Sequence, residues 1–243
     1  MKAAANLIAL VIGLSLLAMV VIWGLRQPAH VSVKLPKVTV GARDSVYYSH
    51  AATEQDAASL GSALQAIGFF TDKGGSAFLS KGRNGTMVSF VLQQGGWDLP
   101  DRVAAYEEIG RRIAPRIGGY PIKVRLIDAA QSVHRESTVG KAVIGAKDEV
   151  YYLGSATNAD AVALGQALKT AGYFTDQGTS VELTKDGGAA ISFVVSDGAW
   201  ERPQIVAAFE RLVRRAAPSA GGLPIALRLL NPNMEPERET MVR

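Results

Sequence analysis

The side chains best suited to chemistry near neutral pH are three histidines, at positions 30, 50 and 134, and a scatter of carboxylates. None of the histidines has the HExxH spacing that places two imidazoles and a base around zinc. The chain has no cysteine, which excludes disulfides, thiolate metal sites and a cysteine nucleophile. Gly140-Lys141 in "ESTVGKAV" lacks the earlier glycine and the following Ser or Thr of a phosphate-binding loop. No nucleophile elbow or dinucleotide fingerprint is present. The expectation is a non-catalytic protein with no cofactor and no metal. The alternative is an enzyme with a diffuse site between two halves of the chain, where carboxylates such as Asp72 and Asp176 would have to converge.

Two features organise the 243 residues that must position any site. The first is "AAANLIALVIGLSLLAMVVIWGL", residues 3–25, without a single charge. As a helix it would reach roughly 34 Å, enough to cross the hydrocarbon core of a bilayer. Trp23 sits where an interfacial aromatic belongs. "WGLRQPAH" puts Arg26, Gln27 and Pro28 where signal-peptide cleavage needs small residues, so an uncleaved anchor is favoured over a leader. Lys2 before the stretch and Arg26, Lys34 and Lys37 after it would, by charge, keep the following part cytoplasmic. A very short tail before a single span favours export. The expectation is a single-pass membrane protein with an extracytoplasmic body. Of the 26 basic residues, Lys2 and Arg26 flank this stretch, which leaves 24 against 22 acidic. That near balance speaks against nucleic acid as a partner.

The second feature is a duplication. "ALQAIGFFTDKGGS" at residues 63–76 returns as "ALKTAGYFTDQGTS" at 167–180. Laying Lys37 on Lys141 aligns residues 37–128 with 141–231, and roughly half of the paired positions are identical. The boundaries expected are an anchor at 3–25, linkers at 26–36 and 129–140, repeats at 37–128 and 141–231, and a disordered tail at 232–243. Each copy reads β-α-β-β-α-β. "SVYYS" and "EVYYL" are strands, and Thr53 and Thr157 cap amphipathic helices closed by Gly68 and Gly172. Glycines near Asn84 and Gly187 turn a hairpin, and Pro100 and Pro203 open second helices. The order predicts an α+β protein of two tandem ferredoxin-like domains, each an antiparallel four-stranded sheet with its helices on one face. "NGT" at Asn84 also fits a glycosylation sequon, but Asn-Gly is first a turn signal.

Period-two alternation aims Val88, Phe90 and Leu92, with Ile122, Val124 and Leu126, at the helices; Ile191, Phe193, Val195, Ile225, Leu227 and Leu229 match them. The other face then carries Tyr47, Ser89 and Arg125 in the first copy and Tyr151, Ser192 and Arg228 in the second. This is the candidate binding face. The two uncovered faces are expected to be covered by packing between the copies, face to face or edge to edge. Arg111-Arg112 and Arg214-Arg215, near the ends of the second helices, are the candidate anion contacts, for a lipid head or glycan phosphate. Trp97 and Trp200 read as packing anchors.

The helix run "LGSALQAIGFF" and its partner "LGQALKTAGYF", within βαββαβ units behind a membrane segment, resemble the glycan-binding SPOR modules of bacterial division proteins. The likeness covers the front half of each copy and implies glycan binding by analogy of fold. The function expected is a membrane-anchored binding or scaffolding protein whose partner is an envelope protein or glycan.

Overall fold

The computed structural model describes residues 35–83 and 85–243; the expected anchor, the linker up to Lys34 and Asn84 lie outside them. Among the described residues no helix is long and apolar enough to cross a membrane. The described residues form an α+β fold, with four α-helices and one mixed sheet. The first copy runs β1 (Lys37–Val40), β2 (Asp44–His50), α1 (Glu54–Ala66), β3 (Ser76–Gly82), β4 (Gly85–Val91), α2 (Pro100–Ile113) and β5 (Ile122–Ile127). A long strand follows, β6 (Val133–Ile144). The second copy continues with β7 (Asp148–Gly154), α3 (Asn158–Thr170), β8 (Ser180–Lys185), β9 (Ala189–Val194), α4 (Pro203–Ala220), β10 (Ile225–Leu230) and β11 (Pro236–Val242).

Helix starts follow local chemistry. Thr53 and Asp56 form a reciprocal capping box on α1, and Thr157 and Asp160 do so on α3. Each boxed aspartate also binds a lysine from the following strand, Lys81 or Lys185, at 2.7 Å. Lys81 and the Thr53 amide hold the Asp56 carboxyl down at about 2. Pro100 and Pro203 open α2 and α4, where a missing N–H costs nothing.

Strand order departs from the ferredoxin-like expectation. The eleven strands among the described residues lie side by side in chain order. β2 pairs with β3, and β4 with β5, in parallel; only the hairpin β3–β4 is antiparallel within that set, and the second copy repeats the pattern. Each helix therefore spans a crossover between neighbouring parallel strands, whereas a split βαβ sheet inserts another strand between them. Alternation along a strand reports which face is buried and carries no information about which strand lies beside it.

The expected linker and tail are corrected as well. Residues 133–140 of the linker belong to β6, whose first half pairs with β5 and whose second half pairs with β7. The tail supplies β11, antiparallel to β10. The copies are thus joined edge to edge through a strand they share.

That strand sets the geometry of everything else. Val139 packs into the core under α1 and α2, while Ala142 and Ile144 pack into the core under α3 and α4. Odd and even positions of one strand point to opposite faces. The helices of the first copy therefore cover one face of the sheet and those of the second cover the other. The core residues anticipated above sit in these two clusters, Phe90 and Phe193 fully buried; of the set only Val195, packed against the second core, is partly buried. Glycine admits close approach at several places, two of them on α2 and β6. A Cβ on Gly110 of α2 would lie 2.5 Å from Val124, and one on Gly140 of β6 would fall inside the ring of its cross-strand partner Tyr152.

Candidate functional site

Opposed faces separate the residues of the candidate binding face. Tyr47, Ser89 and Arg125 occupy one side of the sheet and Tyr151, Ser192 and Arg228 the other, so the two sets form no common surface. In the first copy Tyr47 stacks on Phe78 with ring centroids 5.0 Å apart and Lys37 nearby. Ser89 lies beside Phe78 and Arg125 in register, and Arg125 binds Glu136, which also accepts from Lys123 at 2.6 Å.

The second set has company from the first copy. α2 and the segment after it reach beyond β6 and meet the face of the second copy that its own helices leave open. The Arg111 guanidinium lies 5.3 Å from the centre of the Tyr151 ring, and Tyr120 meets the same ring edge-on at 5.8 Å. Tyr151 donates to Glu149 at 3.0 Å, and Arg111 is held by both oxygens of Glu108. Of the other candidate anion contacts, Arg112 and Arg215 are exposed, and Arg214 bonds the Arg243 carbonyl at 3.3 Å and pairs with Glu210 at 3.5 Å. Arg111 is thus part of an aromatic and carboxylate contact between copies, apart from its arginine neighbours.

Beside that contact a cleft of about 580 Å³ runs between α2 and strands β8–β11, within the range of small-ligand pockets. Its floor carries Glu182, Ser192 and Arg228; its helix wall carries Asp101, Ala104 and Glu107. Ser192 is buried and donates to Glu182 at 3.3 Å, and Arg228 binds Glu239 at 2.7 Å. Arg135 pairs with Asp186 at 2.6 Å. Glu107 is only 3% exposed, and its Oε1 has no hydrogen-bond partner among the described residues. Burial pushes Glu107 up to about 7; Ser137 and Arg135 pull the other way, and Asp186 and Glu182 add to the rise. Burial raises Glu182 too, against Arg111, Ser192 and Arg228, which favour its ionised form.

Sequence reasoning missed Glu107, Arg135, Glu182 and Asp186. A signal for two of them was present. Glu182 stands where the first copy has Phe78, and Glu107 falls four residues after Val103 on the buried stripe of α2. A break in a duplication and a carboxylate on an apolar helix face both mark positions kept for something other than packing.

The carboxylates that an enzyme reading needed do not converge. Asp72 accepts from the amides of Ala42 and Arg43, and Asp176 from those of Ala146 and Lys147. In return Asp44 and Asp148, both buried, accept three amides each from the loops that hold Asp72 and Asp176. Burial alone would raise the Asp148 carboxyl, but the amides of Thr179, Asp176 and Gly178 outweigh it and hold it below the ordinary carboxylate range. A depressed folded-state value means stability that is present at neutral pH and lost on acidification. Asp148→Asn is expected to lower the melting temperature at pH 7 and to flatten the loss of stability as pH falls below about 4, the ordinary aspartate value. Melting curves across that range check it, and an unchanged acid limb would speak against the clamp.

Trp97 stacks flat on His134 at 3.7 Å, and His134 bonds Asp128 at 2.9 Å. Asp128 is committed to the β5–β6 turn through the amides of Ala130 and Ser132. Asn231 accepts from Asn233 and Glu235 in the same way in the second copy. This group closes a turn. Among the described residues no three His, Asp or Glu side chains are placed to hold a metal ion. No family model, curated protein or solved structure matches this chain.

Proposed function

We propose that this protein is a binding or scaffolding module, tethered to a membrane through residues 3–25 with its body on the extracytoplasmic side, and that it holds an envelope partner in the cleft between α2 and the open face of the second copy. The observation that carries the reading is Glu107. A carboxyl that is almost wholly enclosed and has an unpartnered oxygen costs stability, and such a group persists where a ligand completes it. Of the likeness to SPOR modules, the parallel neighbours β2–β3 and β4–β5 do not match the split βαβ sheet, which leaves the "LGSALQAIGFF" and "LGQALKTAGYF" helix runs as its basis.

A photo-crosslinking residue placed at Thr184, in the cleft, tests the reading when compared with one at Ser89 on the first copy's open face. Adducts in native membranes from the first position and not from the second are expected. Adducts from Ser89 alone, or from neither, would overturn it. A second reading draws on the same side chain, because a buried carboxyl near pH 7 can serve as a general acid or base. It differs in requiring that the captured partner leave chemically changed, which the mass of the adduct reports.

A further inference from the structure

We propose that the cleft takes a cationic side chain of a partner polypeptide, a lysine or arginine whose neighbouring backbone carbonyl meets Arg135. This rests on the binding reading above and names the chemistry of its ligand.

Charge supports it first. Seven carboxylates line the cleft against two guanidinium groups, those of Arg135 and Arg228. Arg135 and Arg228 are occupied by Asp186 and Glu239, and Glu108 by Arg111 from outside the lining. Asp98, Asp101, Glu107 and Glu182 form no ion pair among the described residues. A recess lined mainly by one sign of charge focuses its field on the opposite sign. The carboxylates are not gathered as a metal cage. An ammonium or guanidinium group on a flexible stem satisfies them without one.

Unmet hydrogen bonds support it independently. Among the described residues Glu107 Oε1 is an acceptor with nothing to accept, and Arg135 Nε is a buried donor with nothing to donate to. A bare cation answers only the first. A basic residue within a peptide answers both, since its side chain donates and the adjacent carbonyl accepts. The cleft volume leaves room for one such residue with its flanking backbone.

The test uses the full chain in detergent micelles and four probes. They are the peptide acetyl-Gly-Arg-Gly-amide, the same peptide with citrulline, the same peptide with glutamate, and propylguanidine, a free monocation without the carbonyl. Citrulline keeps the shape of arginine and removes its charge. Binding of the arginine peptide at least about tenfold tighter than the citrulline peptide is expected, a gap that narrows as salt is added. Propylguanidine is expected between them, and the glutamate peptide weakest. Glu107→Gln and, in case that variant packs differently, Asp101→Asn on the exposed rim are each expected to shrink the arginine preference. Equal binding of arginine and citrulline peptides overturns the proposal, as does no binding of the arginine peptide up to about 10 mM. Propylguanidine binding as well as the arginine peptide overturns the role of Arg135. Crosslinks at Thr184 without any charge preference would sink this inference and leave the binding reading standing; loss of both sinks both.

Discussion

Phe90→Ala is expected to lower the unfolding free energy by about 3–5 kcal/mol and to lower it for both copies at once. Phe90 is fully buried and forms an aromatic cluster with Phe69 at 5.1 Å and Tyr106 at 5.0 Å. Truncation leaves a cavity that two rings on a helix and a turn cannot close without moving. The melting temperature should fall by about 10 °C. Transmission to the second copy follows from β6, which carries Val139 into one core and Ala142 and Ile144 into the other. Unfolding the first core releases a strand to which β7 is bonded. Trp97 and Trp200 report on the two copies separately when Trp23 and the other tryptophan are replaced by phenylalanine. Coincident midpoints are expected from the two probes. If Trp200 kept its original midpoint in the Phe90→Ala variant, the copies would be independent folding units and the shared strand would not couple them.

Glu107→Gln is expected to act in the opposite direction, stabilising the protein by about 2–3 kcal/mol at pH 8 and very little at pH 4. The folded protein keeps a proton on Glu107 up to about 7, against an ordinary value of 4.5. Between those values the unfolded chain has already released its proton. Stability therefore falls as pH rises through that window and stays low above it. Glutamine cannot ionise, so the fall disappears, although its amide inherits part of the unmet hydrogen bonding. Denaturant titrations of both proteins at pH 4 and pH 8 give the four numbers needed. A difference that does not grow with pH would mean that Glu107 is hydrated or paired in solution. A stabilising substitution that also weakens ligand capture would be the usual exchange between stability and function.

Helices and faces were legible in the sequence because both are written locally. Thr53 and Thr157 announce their caps, and Phe90 and Phe193 fall in phase with the other inward positions of their strands. Strand neighbours were not legible, since a helix can return its strand beside the one it left or one place further without altering any pattern. β6 was hidden for a different reason. Its inward positions change phase near Gly140, from Ser137 and Val139 to Ala142 and Ile144, because its two halves serve opposite faces. The tail looked unstructured because an edge strand such as Pro236–Val242 is mostly exposed and charged. Yet "RESTV" at 135–139 returns as "RETMV" at 238–242, and that echo was available as a sign that the repeat ends with a strand. Of the candidate site, Ser192 and Arg228 were reached through the face pattern. Glu107 was not, because nothing local says that α2 will lie against the other copy.

A duplication joined by a flexible connector can be cut between its copies, and each piece keeps its surfaces. This one has no such seam. Ending the chain after Ile127 would leave Ile122–Ile127 with a bare row of backbone donors and acceptors, and beginning it at Gly145 would do the same to Asp148–Gly154. Either fragment would have to recover the lost strand from another molecule, so excised halves are expected to exchange strands or aggregate more readily than the whole protein.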